Sequence, residues 1–114
     1  MHELSIVGSL LSQVARQVEP HVGARVTRID VRIGDASGVE AELFVTAFEQ
    51  LRSGPCAAAE LKIERVRARW TCHVCSRDFE PGEVLLCTAC GNPGTLATGS
   101  ELMLDRIELE VAHV

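Results

Sequence analysis

Four of the five cysteines in this 114-residue chain stand as two Cys-x2-Cys knuckles, Cys72-His73-Val74-Cys75 and Cys87-Thr88-Ala89-Cys90-Gly91, separated by eleven residues. A tetrahedral ion with metal–sulfur bonds near ~2.3 Å needs two thiolates from each of two tight turns, and two intervening residues allow that. Gly91 suits the turn after Cys90, where the backbone is expected to need a positive φ. Four sulfurs close the shell and leave no position for an activated water, so the predicted site is structural and not catalytic. Zinc is preferred to iron. A segment of ~30 residues cannot bury enough apolar surface to fold alone, and metal ligation supplies the missing free energy. His73, inside the first knuckle, reads as a hydrogen-bonding or solvent-facing residue. Cys56 has no partner spacing and reads as a small residue at a loop–strand junction.

The amino terminus lacks the basic-then-apolar pattern of a secretory signal. The expected compartment is therefore cytoplasmic, where disulfides are rare and paired cysteines bind metal. No apolar run approaches the ~20 residues of a membrane span. With a net charge of −5, no Tyr, one Trp and three Phe, the chain offers neither a basic footprint nor a stacking platform for nucleic acid. No nucleophile–base pair or phosphate loop is visible, so an enzyme is not expected.

Hydrophobic periodicity orders the remainder. Leu4, Val7, Leu11, Val14 and Val18, with Leu10 and Ala15 beside them, trace one stripe of a helix that Pro20 ends. Thr27 to Ile33 alternates apolar and charged residues as a half-buried strand. Ser37-Gly38-Val39-Glu40 has the form of a capping box, the serine oxygen accepting from the Glu40 amide and the Glu40 carboxylate reaching back. Leu43, Phe44, Ala47, Phe48 and Leu51 form the stripe of the helix it would start, closed by Ser53-Gly54-Pro55. Leu61 and Ile63, then Val66, Ala68 and Trp70, alternate with a slip that a β-bulge near Glu64-Arg65 would absorb. Leu102 and Leu104, then Ile107, Leu109 and Val111, slip likewise, so the two strands are expected to pair antiparallel, the alternative being that Leu102 to Leu104 is buried on both faces. The predicted fold is α+β: two helices on one face of a three-stranded sheet, with a small zinc-ribbon-like module inserted. Residues 1–70 plus 101–114 would form the main domain, and residues 71–100, which include Pro81-Gly82 and Asn92-Pro93-Gly94, the metal module.

Met1-His2 is a second candidate site. A bulky second residue keeps the initiator Met. The free α-amine, the deprotonated His2 amide and its imidazole can then chelate one ion, and nitrogen donors in a plane suit Ni(II) or Cu(II). Histidine at position two leaves one planar corner open, as a carrier that must release its ion requires. Spacing alone does not separate this chelate from an ordinary terminal histidine. His21 and His113 read as surface residues.

Met1-His2-Glu3 before an amphipathic helix, the stretch Ile33 to Glu40 continuing through Leu43, Phe44, Ala47 and Phe48, the paired knuckles and the closing Arg106-Ile107-Glu108-Leu109 strand together resemble the HypA/HybF family of nickel metallochaperones. The resemblance runs the length of the chain. It implies nickel bound at Met1 and His2 with Glu3 beside the site, and a structural zinc on Cys72, Cys75, Cys87 and Cys90. It also implies delivery to the [NiFe]-hydrogenase large subunit together with a GTPase partner, HypB. Some relatives carry an aspartate near the second helix that can complete the nickel shell; this chain has Glu40 there, to which the capping box also gives a role. Thr88 stands where relatives often have proline. Two other readings of the knuckles remain: a zinc-ribbon module that binds protein or nucleic acid, and an iron–cysteine redox protein like rubredoxin.

Overall fold

The computed structural model describes residues 2–80 and 86–111, His2 for its backbone alone. The expectations at Met1, the His2 side chain, Pro81-Gly82 and His113 lie outside the described residues.

Helix α1, His2–Val18, buries Val7, Leu10, Val14 and Val18, the stripe its periodicity predicts, with Leu4 and Leu11 half-buried beside them. It is followed by β1, Arg25–Gly34, then α2, Ala41–Leu51, a single 3-10 turn at Gly54–Cys56, and β2, Glu60–Val66. Phe44, Ala47 and Phe48 carry the buried face of α2; Leu43 and Leu51, predicted to share it, lie exposed at its margins. The remaining strands are β3, Arg69–Cys72, β4, Gly94–Thr98, and β5, Leu102–Glu110.

The sheet order is β2-β1-β5, with β1 parallel to β2 and antiparallel to β5. Parallel neighbours need a long crossover, and α2 supplies it. The expected antiparallel pairing of β2 with β5 is thus wrong, because both flank β1. The expected bulge at Glu64-Arg65 is also absent: β2 keeps continuous register with β1 from Arg28↔Glu60 to Gly34↔Val66. Its slip has a different cause, since Val66 ends the strand and Ala68 and Trp70 belong to the connection and to β3. Trp70 is exposed, not in the core. The slip in β5 is a true bulge at Asp105, opposite the Asp30–Val31 step of β1. A second bulge at Thr27 of β1 places Val26 in the core with Ile29, Val31 and Ile33, although its parity in sequence is opposite.

The two helices cover one face of this sheet. The other face carries charge in pairs: Arg28 on Asp30 at 2.6 Å, and Arg32 forked onto Asp105 at 2.7 and 2.9 Å. That fork holds the Asp105 carboxyl below its usual range. Phe48 is fully buried, with the Arg52 guanidinium 4.8 Å above its ring. Phe48→Ala is expected to cost about 3–5 kcal/mol, read as a lowered midpoint in urea unfolding.

The capping box does not form. Helix α2 starts three residues later than the box would place it, at Ala41, with Glu40 as its cap residue and no side-chain capping bond. Ser37 Oγ accepts instead from the Val39 amide at 3.2 Å, a local turn that competes with helix capping. The Glu40 amide points to Glu3 Oε2 at 3.5 Å.

Candidate metal centre

Strands β3 and β4 pair antiparallel and present the two knuckles at one end. The knuckles repeat one backbone design. In the first, the Ser76 amide donates to the Cys72 carbonyl at 2.9 Å and the Cys72 amide to the Arg77 carbonyl at 2.9 Å; in the second, Gly91 donates to Cys87 and Cys87 to Asn92, both at 2.8 Å. The residue after the second cysteine is left-handed in each, Ser76 at φ 59° and Gly91 at φ 75°. Gly91 therefore meets its predicted need. Ser76 adopts the same conformation with a side chain, at a cost of order 1 kcal/mol.

These turns aim four sulfurs at one point. Cys72 and Cys90 Sγ lie 3.4 Å apart, Cys75 and Cys87 3.7 Å, Cys75 and Cys90 4.0 Å, and all four fall within 4.8 Å of one another. Tetrahedral zinc with bonds near ~2.3 Å has sulfur–sulfur edges of about 3.8 Å, so the arrangement fits that ion. A disulfide needs about 2.05 Å, and every cysteine here is a free thiol. Protonation chemistry agrees. The Arg77 guanidinium, first among several groups, draws the Cys87 thiol down to about 6. The Arg77 amide favours the Cys75 thiolate, but the neighbouring Cys72 thiol and burial outweigh it and push Cys75 up to about 11. Four negative sulfurs this close cannot coexist without a cation.

His73 Nδ1 lies 2.8 Å from the Pro93 carbonyl, which ties the first knuckle to the loop after the second and fits its reading as a hydrogen-bonding residue. Cys56 is buried in the 3-10 turn, burial pushes its thiol up, and it stands apart from the cluster. Two contacts escaped the sequence reading: Arg77 Nη2 donates to Cys87 Sγ at 3.3 Å, and Asn92 Nδ2 to Cys90 Sγ at 3.3 Å. A signal for them existed. Each is the fifth residue after the first cysteine of its knuckle.

At the other candidate site, Glu3 and Glu40 meet. The Glu3 carboxylate sits at the positive amino end of α2, where a carboxylate is stabilised by unpaired amides. Glu40 is exposed, and its carboxylate is not spent on capping.

Known proteins resemble this chain over nearly its whole length. A family model described as "Hydrogenase/urease nickel incorporation, metallochaperone, hypA" matches residues 1–109. The hydrogenase maturation factor HypA of Aquifex aeolicus is 37% identical over 114 residues, covering 97% of this chain and 99% of its own. That of Shewanella baltica (strain OS223) is 34% identical, covering 96% and 97%. The solution structure of the Ni metallochaperone HypA from Helicobacter pylori superposes with a TM-score of 0.68 at 29% identity, over 96% of this chain and 98% of that one. Matched in sequence from its first residue through nearly all of β5, and in fold over 96% of its length, the chain belongs to the HypA family of nickel-incorporating metallochaperones.

Proposed function

We propose that this protein binds Ni(II) at its amino terminus, through the Met1 amine and the amide and imidazole of His2, and delivers it for maturation of [NiFe]-hydrogenase. The observation that carries the reading is the contact between Glu3 and the Glu40 amide, 37 positions apart in sequence. It ties the first turn of α1, with the Glu3 carboxylate on it, to the start of α2. Glu3 and Glu40 are then the side chains on hand to complete or neutralise the nickel shell, and Glu40, freed of its expected capping bond, is available for it. Cys72, Cys75, Cys87 and Cys90 hold zinc, whose role is to organise the chain around it.

Delivery engages the hydrogenase large subunit and the GTPase HypB, in the cytoplasm; the protein itself has no catalytic role. Among the described residues no helix is long and apolar enough to cross a membrane. The chain works as two units, a nickel-binding α+β part built from residues 1–70 and 101–114 and a zinc module between them.

Nickel titration of untagged protein tests this. His2→Ala, or residues added ahead of Met1, should abolish tight 1:1 nickel binding and leave zinc content unchanged. Binding should also weaken on acidification, because an amine titrating near ~7.7–8.0 and an imidazole near ~6.5 must both be deprotonated to ligate. Unchanged nickel affinity in both variants would reject the assignment.

A further inference from the structure

We propose that Arg77 is the cation that completes the sulfur site, locking the second knuckle to the first and shielding the Cys87 sulfur from attack. The inference rests on the reading that the four cysteines hold zinc. A divalent ion inside four thiolates is a doubly negative cluster, and it sits in a chain whose own net charge is −5. Such a cluster is stabilised by N–H donors to its sulfurs, most of all by charged ones.

Arg77 is built into both knuckles at once. Its carbonyl accepts from the Cys72 amide at 2.9 Å, which fixes its backbone in the first turn. Its side chain crosses to the second, where Nη2 donates to Cys87 Sγ at 3.3 Å and to Thr88 Oγ1 at 3.2 Å. Nη1 donates to the Asp78 carbonyl at 3.2 Å, and the Phe79 ring lies 5.9 Å from the guanidinium carbon. These anchors give the guanidinium one position, against one sulfur.

The repeat in the backbone sharpens the point. Arg77 and Asn92 occupy equivalent places, each following the left-handed residue of its turn, and each puts a side-chain N–H on a sulfur. They differ in reach and charge. Asn92 serves Cys90 in its own knuckle as a neutral donor, whereas Arg77 serves the opposite knuckle with a full positive charge. Cys75 and Cys90 are exposed, and Cys72 and Cys87 are buried. Electrophiles and competing chelators therefore enter along the Cys75–Cys90 edge, and Arg77 guards the opposite one by drawing electron density from the Cys87 sulfur.

The test compares zinc-loaded wild type with Arg77→Met, which keeps the length and loses the charge, and Arg77→Lys, which keeps the charge. Metal content is measured first, then the rate of zinc transfer to a chromophoric chelator, then the sites of iodoacetamide modification by mass spectrometry. Arg77→Met should release zinc about tenfold faster, the lower end for loss of an outer-shell partner. Its modification should extend from Cys75 and Cys90 to Cys87, and Arg77→Lys should restore both readouts towards wild type. A Met variant that takes up no zinc beside a fully loaded Lys variant supports the same role for the charge. Release from Arg77→Met at the wild-type rate, or equal defects in the two variants, would overturn it. Failure of both to load would do so too, because charge alone would then not suffice. Loaded wild type with equal rates refutes only the role of Arg77; wild type without metal refutes the zinc reading as well.

Discussion

Stripping the metal should melt the two-stranded sheet and its knuckles while the three-stranded sheet and both helices stay folded. The contiguous apolar core is made by α1, β1, α2, the 3-10 turn and residues near them, with β2 and β5 packed against it, and among the described residues nothing between Arg69 and Thr98 belongs to it. Among the described residues, the buried side chains in that stretch are Cys72 and Cys87, both metal-facing sulfurs. Structural zinc contributes about 10–16 kcal/mol of apparent binding free energy in segments of this kind, and the described residues there offer no core to replace it. A Cys72→Ser/Cys75→Ser variant should go from one zinc per chain to none. It should lose amide-exchange protection across β3 and β4 and keep it in α1, β1 and α2. Persistent protection of β3 and β4 in metal-free protein would show that the segment folds without its ion.

The second large effect is expected at Gly34. Three stretches of chain meet there: the Gly34 amide donates to the Glu101 carbonyl at 2.7 Å, Asp35 to Val66 at 2.8 Å, and Ala36 to Gly99 at 2.7 Å. A side chain on Gly34 would place its first carbon 2.0 Å from the Gly99 carbonyl oxygen. One on Gly99, whose φ is +104°, would meet the Ala68 backbone at 2.5 Å. Gly34→Ala must therefore prise these chains apart, combining overpacking with lost hydrogen bonds at a cost on the order of 3 kcal/mol. The melting temperature should fall by about 10 °C or more, against a few degrees at most if the junction were pliable. The same loop runs on to Glu40, and the chains it grips lead to β3 and from β4. Gly34→Ala should accordingly also weaken nickel binding without touching a nickel ligand.

Local chemistry made the cysteine cluster legible. Two residues between ligands constrain a turn wherever it stands in a fold, and the four sulfurs converge as the spacing requires. The helical stripe of α1 and the alternation of β1 were legible for the same reason, since each is a pattern one element writes into its own sequence. Pairing is different. The slips at Ile63–Val66 and Leu104–Ile107 look alike, yet one is a strand end and the other a bulge, and only the partner strand tells them apart. Asp105 is left out of the ladder where its carboxylate reaches Arg32, a residue far from it in sequence. The capping box failed through competition: Ser37 satisfied a nearer amide, and the Glu40 amide found Glu3 instead. Arg77 was overlooked because an arginine next to a knuckle usually faces solvent, and its target lies in the other turn.

Strand β2 ends at Val66 and β5 begins at Leu102, and both flank β1. Everything between them is a loop that must be closed before β5 can dock. An ion that gathers that loop into a short, stiff hairpin removes part of the closure entropy, about 1 kcal/mol on logarithmic scaling with loop length. Zinc would then be felt as a small gain of stability in a sheet that folds without it and whose side chains it never touches.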